Sequence, residues 1–342
     1  MAIIQTTLAE KPELYNETLS LIEASFNYPP GHSFENDFYS LLDPSNHKHN
    51  HILIDGDTVV AHIGINLREF YKGETTTLVA LIGGVAVSQE HRGKGHFKEL
   101  FNYVLQRYSK KCSFFILWSD KAALYRKYEF YEFGSVIQLG AKEENEDYFN
   151  TIGFKKYKLK DLSESDIKNL HKLYKHNHND YITPKRSPRN WDTLSNIKTT
   201  DIYIERNGNE ITNYFFINKG FDLTGVIHEC SFFNDQDMLK KFSEYKVWLP
   251  EKHLSYMTSV QSLYIGILKI GNLELFKKFI SGIFSNDLII NDIESSKIFF
   301  SFKDENFTLS TDEFLAFIFG PTPAQEFAPY GNWFFIPGLD SI

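Results

Sequence analysis

The stretch from Leu78 to Leu105, LVALIGGVAVSQEHRGKGHFKELFNYVL, constrains this chain more than any other. Leu78 to Val87 is a continuous apolar run, β-branched at Val79, Ile82, Val85 and Val87. Such a run reads as a strand buried on both faces. Ser88 to Gly95 is polar, basic and glycine-bearing. From Phe97 the apolar residues fall at Leu100, Phe101, Val104, Leu105 and Tyr108, the spacing of an amphipathic helix. A buried strand therefore feeds a short loop that opens a helix. The first N–H groups of a helix lack internal partners, and its dipole places partial positive charge there. Gly93 and Gly95 let the backbone approach a ligand, while Arg92 and Lys94 add charge. These are the physics of a phosphate cradle. An ordinary surface turn is the plainer reading of the same residues.

The loop has no Gly-x-x-x-x-Gly-Lys-Ser/Thr, and no Gly-x-Gly-x-x-Gly follows the strand, which argues against P-loop and dinucleotide folds. Arg92-Gly93-Lys94-Gly95-His96-Phe97 resembles the Arg-x-x-Gly-x-Gly/Ala signature of the GNAT superfamily of N-acetyltransferases, with Phe97 where a small residue is usual. One strand further on, Ser113–Trp118 and then Ser119-Asp120-Lys-Ala-Ala-Leu-Tyr125-Arg-Lys127-Tyr-Glu129-Phe130 resemble the next segment of that family, with Glu129 in the place of a glycine. The resemblance implies an α/β GNAT fold with a mixed sheet and a splayed central strand. It implies acetyl-CoA as co-substrate, its pyrophosphate on Arg92, Gly93, Lys94, Gly95, His96, Phe97 and Lys98, and its pantetheine arm and acetyl carbonyl on the strand edge at Val85, Ala86 and Val87. Tyr125 would be the acid for the leaving thiolate. Ser119 and Asp120 would position cofactor or acid, although a plain helix-capping role explains them equally.

At 342 residues two or three domains are expected. A hydrophobic content of 42% with 31 Phe and 19 Tyr supplies ample core. No apolar run approaches the ~20 residues of a membrane span, and the N-terminus shows no secretory pattern. Cys112 and Cys230 read as reduced thiols, so a cytoplasmic protein is expected. A formal net charge of −8 argues against nucleic acid and is compatible with a cationic acceptor. The expected partner is a small-molecule or peptide amine; association into a homo-oligomer is left open.

The chain divides into three expected units: 1–145, 150–255 and 260–342. In the first, helical patterns at 11–26 and 34–42 precede a hairpin around Asp55-Gly56-Asp57, with a further strand at Asn66–Tyr71. In the family those helices flank the acceptor groove. His47, His49 and His51 alternate, but a solvated turn explains them better than a metal site, and no metal is expected. Tyr131 to Leu139 reads as one closing strand. The second unit repeats the order helix, helix, hairpin, strand without the Arg-x-x-Gly loop, and is read as a degenerate GNAT-like unit. The third has a helical stripe from Leu273 to Ile283, strands at 288–290 and 298–302, and a helix opened by Ser310-Thr-Asp-Glu313. It resembles a short version of the sterol-carrier-like module that ends acetyltransferases of the enhanced intracellular survival group. The tail, Tyr330 to Ile342, is too aromatic for a frayed end.

Acetyl transfer also needs a group to face the amine proton. In the enhanced intracellular survival group the chain's own terminal carboxylate serves, which implies Ile342 here. Glu69, His62 and water are the competitors. A CoA-binding sensor without turnover and a lipid-binding module are the alternatives to an enzyme.

Overall fold

The computed structural model of the protein describes residues 3–250, 260–263, 265–285, 287–294, 296–320 and 334–342. The chain begins with β1 (Ile3–Thr7), α1 (Tyr15–Ser25), α2 (Phe34–Asp37), α3 (Tyr39–Leu42), β2 (Asn50–Asp55), β3 (Thr58–Lys72) and β4 (Thr75–Val87). Then come α4 (His96–Ser109), β5 (Phe114–Leu117), α5 (Ala122–Arg126), β6 (Tyr131–Phe133) and β7 (Val136–Leu139). The middle of the chain supplies α6 (Glu146–Thr151), β8 (Lys155–Tyr157), α7 (Glu164–His178), β9 (Thr183–Pro184), α8 (Pro188–Ser195), β10 (Asp201–Asn207), β11 (Glu210–Ile217), β12 (Ile227–Cys230), α9 (Gln236–Phe242) and β13 (Val247–Pro250). The last part holds β14 (Val260–Leu263), β15 (Gly266–Ile270), α10 (Leu273–Ile283), β16 (Leu288–Glu294), β17 (Lys297–Phe302), β18 (Glu305–Ser310) and α11 (Thr311–Phe319). The result is a mixed α/β fold.

The first sheet has the order β1-β2-β3-β4-β5-β15-β6, with β9 paired to β3. The expected strands before and after Ile65 are one strand of 15 residues, β3, buried over most of its length. On one face α4 packs Leu100, Phe101 and Val104 with Val60, Ile65, Ile82 and Phe115. On the other, Ile22, Phe34 and Leu41 from α1, α2 and α3 join Leu81 and Phe114. Stripes at helical spacing meeting a strand apolar on both faces produce this layering.

The second sheet runs β14-β7-β13-β12-β11-β10-β8, with β12 and β13 parallel. Its α7 and α8 cover one face, where Leu170, Tyr174, Trp191 and Leu194 meet Tyr214 and Phe216. The order helix, helix, hairpin, strand recurs in α7, α8, β10, β11 and β12.

Two features depart from expectation. The closing strand expected over 131–139 is two strands in different sheets, because Gly134 takes a left-handed φ of +63° and turns the chain. In addition, β15 inserts between β5 and β6, pairing antiparallel with both. The last part of the chain thus completes the sheet of the first.

The third sheet, β16-β17-β18, is a meander, and β18 was not expected. Its Phe300 packs on Phe314 and Phe317, and the cluster continues into the first core where Phe276 and Phe319 meet Phe114. Phe334 and Phe335 of the tail are buried in the first and second cores, respectively. Trp333 lies outside the described residues. Among the described residues no helix is long and apolar enough to cross a membrane. Cys112 and Cys230 are buried free thiols, pushed up to about 12 by burial.

Candidate active site

The site begins with a register error in the β3–β4 ladder. His62 pairs with Ala86 and Gly64 with Gly83, so Gly84 and Val85 together face Ile63. This is a β-bulge, and Gly84 carries it at φ +59°, where a side chain would be strained. Gly84 is also crowded, since a Cβ there would stand 3.0 Å from the His62 ring. That ring is fully buried between two acceptors, the Gly84 carbonyl at 2.7 Å from Nδ1 and Asn50 Oδ1 at 2.9 Å from Nε2. Asn50 spends its amide on the carbonyls of Leu41 and Asn46, which fixes Oδ1 as the acceptor. Burial pushes His62 down to about 4, so the ring is neutral and donates to only one of the two.

The bulge turns β4 away from β5. The two strands pair in parallel only from Val79–Phe114 to Ile82–Leu117. Beyond that, Gly83 to Val87 has no strand on the β5 side among the described residues. On its other side β3 satisfies it, as in the bond from Ser88 N–H to the Val60 carbonyl. A run of main-chain donors and acceptors is therefore open toward the cleft, and Val85 lines it.

The glycine-bearing loop follows. Gly93 and Gly95 have φ of +76° and +90°, and a Cβ on either would meet nothing within 4 Å. Gly95 is the N-cap of the 14-residue α4, so the helix N-terminus is uncovered beside two exposed cations, Arg92 and Lys94. His96 is buried and Lys98 exposed. Phe97 does not lie over the loop. Its ring stacks on Phe101 at 5.0 Å and meets Tyr125 and Tyr128 edge-on, so the departure from a small residue at 97 is absorbed by the aromatic cluster under α4.

From β5 the chain passes Ser119 and Asp120 into α5. Ser119 accepts a bond from the Lys121 N–H at 3.0 Å, and both Ser119 and Asp120 line the same cavity as Tyr125. Tyr125 is 6% exposed, with its ring held by Phe97, Phe101 and Phe130. Burial first, and the Asp120 charge second, push the phenol up to about 12. Glu129 explains why glycine is usual at its place: it sits at φ +64°. An ion pair with Lys269 on the inserted β15 accompanies that strain.

These elements surround a cavity of about 530 Å³. It is lined by Gly83, Val85, Tyr125 and Ile342, together with the aromatic side chains of Phe26, Tyr28, Phe221 and Trp248. A Cβ on Gly83 would stand 3.2 Å from the Ile342 carboxyl carbon. The tail thus reaches the bulge. Asp340, fully buried, holds it there: Arg68 of β3 donates to one carboxylate oxygen at 2.6 Å, and Arg186 to the other at 2.6 Å and 3.0 Å. Arg186 also forms a two-point pair with Glu229 and lies between Tyr174 and Trp191 at 4.0 Å and 4.7 Å. Both arginines hold the Asp340 carboxyl below its usual range despite burial, which alone would raise it. Breaking such a buried pair costs roughly 3–5 kcal/mol, enough to fix this turn against the two sheets.

The competing bases lie elsewhere. Glu69 is exposed and pairs with Lys185 at 3.0 Å, and neither it nor His62 lines the cavity. The three histidines do not share one face. His47 stacks on Tyr15 within a 3₁₀ turn, while His49 and His51 both bond the Tyr108 hydroxyl, at 2.7 Å and 2.9 Å. Sequence reasoning missed Arg68, Arg186, Lys219 and Glu229. Arg68 and Glu229 lie in strands and Arg186 and Lys219 in loops, and no local pattern marks any of them as buried.

Residues 9–134 match the model of the acetyltransferase (GNAT) domain family. No curated protein matches the chain by sequence. Among solved structures, the chain is similar to a GCN5-related N-acetyltransferase from Anabaena variabilis ATCC 29413, with TM-score 0.58, 14% identity, and 93% of this chain and 90% of that one covered. A conserved Enterococcus faecalis V583 protein described as a probable N-acyltransferase gives TM-score 0.59 at 15% identity over 91% and 85%. Eis1 from Mycobacterium abscessus gives 0.52 at 10% identity over 90% and 85%. At these identities the structural likeness speaks for the fold, and the domain match for the chemistry. A splayed central strand, an open glycine loop and a buried tyrosine stand in that order within residues 9–134, the stretch that matches the GNAT acetyltransferase domain; that match supports an acyltransferase, and the chain as a whole shares its fold with solved N-acetyltransferases.

Proposed function

We propose that the protein moves an acetyl group from acetyl-CoA to a primary amine of a small molecule or peptide, by direct attack in a ternary complex. The observation that supports this most is that the open edge of β4, the Tyr125 phenol and the Ile342 carboxyl all line one cavity. The residues present fit the co-substrate. Gly93 and Gly95 leave space where side chains would intrude, and Arg92, Lys94 and the α4 N-terminus offer charge and N–H groups to a pyrophosphate. His96, Phe97 and Lys98 open that helix, and the Val85, Ala86 and Val87 backbone would bond the pantetheine arm and orient the acetyl carbonyl. When bound, acetyl-CoA supplies an activated acyl carbon on a thiol leaving group.

The chain's own groups do the rest. Main-chain N–H donors on the open β4 edge are fixed in advance, so they stabilise developing negative charge without reorganising. Tyr125 stays protonated throughout the physiological range and gives its proton to the departing sulfur, with Ser119 and Asp120 shaping its surroundings. A terminal carboxylate has a reference pKa of about 3.5, so at Ile342 it would chiefly orient the incoming ammonium. The amine gives a proton to solvent, attacks in its neutral form as the C–N bond forms and the C–S bond breaks, and then loses a second proton that, through solvent, restores the Tyr125 phenol. The division into units at 1–145, 150–255 and 260–342 belongs to this reading, with the first as the catalytic unit. We do not favour a lipid-binding role for the last unit, because Phe300, Phe314 and Phe317 pack on one another.

Extending the chain by a few Gly residues past Ile342 tests the carboxyl. Turnover is expected to fall by about tenfold or more while acetyl-CoA affinity, measured by calorimetry, holds. An extended enzyme with normal turnover makes the terminus structural and returns the role to water.

A further inference from the structure

We infer that the second unit, which has no phosphate loop, serves the reaction by gripping the last turn of the chain, with Lys219 as the positioning residue that aims the Ile342 carboxyl at the site. The inference rests on the reading of that carboxyl as the group facing the amine.

Lys219 follows β11 and is buried to 1% exposure in the wall of the cavity. Its Nζ donates to the Gly338 carbonyl at 2.8 Å, the Ser341 carbonyl at 2.5 Å and Ser341 Oγ at 3.1 Å. These are three acceptors for the three protons of an ammonium. All belong to the residues just before Ile342, and the Ser341 hydroxyl itself donates to Gly338 at 2.7 Å. The turn they form, Gly338–Asp340, is a 3₁₀ segment of three residues and has little stability of its own.

Asp340 fixes the base of that turn but not its end. The Asp340 and Ser341 N–H groups close the turn on the Pro337 and Gly338 carbonyls, so the rotation that remains is the one after the Ser341 Cα, and it decides where the Ile342 carboxyl points. Lys219 removes that freedom by binding the carbonyl next to Ile342. An apolar side chain of equal length would fill the same volume without the cost of burying a charge. It would not orient Ser341. Phe38 lies under Nζ at 4.7 Å. Burial pushes Lys219 down to about 7, the carboxylates of Asp340, Asp37 and Asp222 work against that shift, and the three acceptors are matched fully when the amine is protonated. The grip therefore comes from both sides: Arg68 from the catalytic unit, and Lys219, Arg186 and Glu229 from the second.

The test uses the full chain with Lys219→Met, the Gly extension past Ile342, and the two combined, comparing kcat, KM for acetyl-CoA and thermal midpoint. Lys219→Met is expected to lower kcat by roughly tenfold or more, as a misaimed group does, with KM for acetyl-CoA within about twofold. The combined variant should be no slower than the slower single one, because both changes displace the same carboxyl. If the extension slows the enzyme and Lys219→Met does not, the carboxyl reading stands and the role of Lys219 is overturned. Losses that multiply in the combined variant overturn it as well. If the extension has no effect, the carboxyl reading itself has failed and the inference falls with it. Should Lys219→Met fail to fold, Lys219→Gln, which is shorter and offers two donors where the ammonium offers three, carries the same expectations. A wild-type rate in a folded Lys219→Gln then overturns the role.

Discussion

Tyr125→Phe is expected to lower kcat by roughly 10²- to 10⁴-fold, the range for loss of a general acid. The ring remains, and with it the contacts to Phe97, Phe101 and Phe130, so acetyl-CoA affinity and thermal midpoint should stay near wild type. On reference values the phenol at about 10 and a thiol at about 8.5 are nearly matched. Burial changes that by pushing Tyr125 up to about 12. The gap of about 3.5 units corresponds to roughly 5 kcal/mol for transfer to a thiolate of ordinary basicity. The proton therefore moves as charge develops on sulfur in the same buried surroundings, which raise a thiol as well. For the same reason wild-type kcat should show no loss from phenol ionisation up to about pH 10. Thiol release followed over pH checks both expectations. Full activity in Tyr125→Phe would transfer the acid role to water or another residue.

The second large effect concerns the cradle. Arg92→Glu and Gly95→Asp should each remove acetyl-CoA binding from calorimetric detection. Arg92→Glu replaces a cation by an anion at the mouth of a helix N-terminus, losing a charge-assisted bond of about 1.5–3 kcal/mol and adding repulsion. Gly95→Asp places negative charge on the N-cap itself and forces a side chain into φ +90°. Since Arg92 is exposed, the thermal midpoint of Arg92→Glu should move little, while the left-handed φ at Gly95 costs Gly95→Asp some stability without unfolding it. Affinity that survives both substitutions would make the loop an ordinary surface turn.

The catalytic half of the site was legible because its signals are local. A strand apolar on both faces, two glycines beside cations and a helical stripe lie within 28 consecutive residues, Leu78 to Leu105. Even the two departures from the family pattern have local physical reasons: Phe97 turns into the α4 aromatic cluster, and Glu129 tolerates a left-handed φ beside Lys269. What holds the tail was not legible. Arg68 and Asp340 are 272 residues apart, and Arg186 and Asp340 are 154 apart. A single buried ion has no periodicity, so nothing in a window around Arg186 or Lys219 distinguishes it from a solvated turn residue. The insertion of β15 between β5 and β6 was hidden likewise, since a strand of five residues carries no mark of which sheet it will join.

Amine-dependent release of CoA thiol from acetyl-CoA, measured with the wild-type protein across aminoglycosides, polyamines, peptides and aryl-alkylamines, tests the central claim most directly. At least one class should give saturable turnover with one acetyl group appearing on the amine for each thiol released, and that turnover should vanish in Arg92→Glu. Thiol release that no amine accelerates, or that persists unchanged in Arg92→Glu, would contradict acetyl transfer at the cleft of Gly83 to Val87.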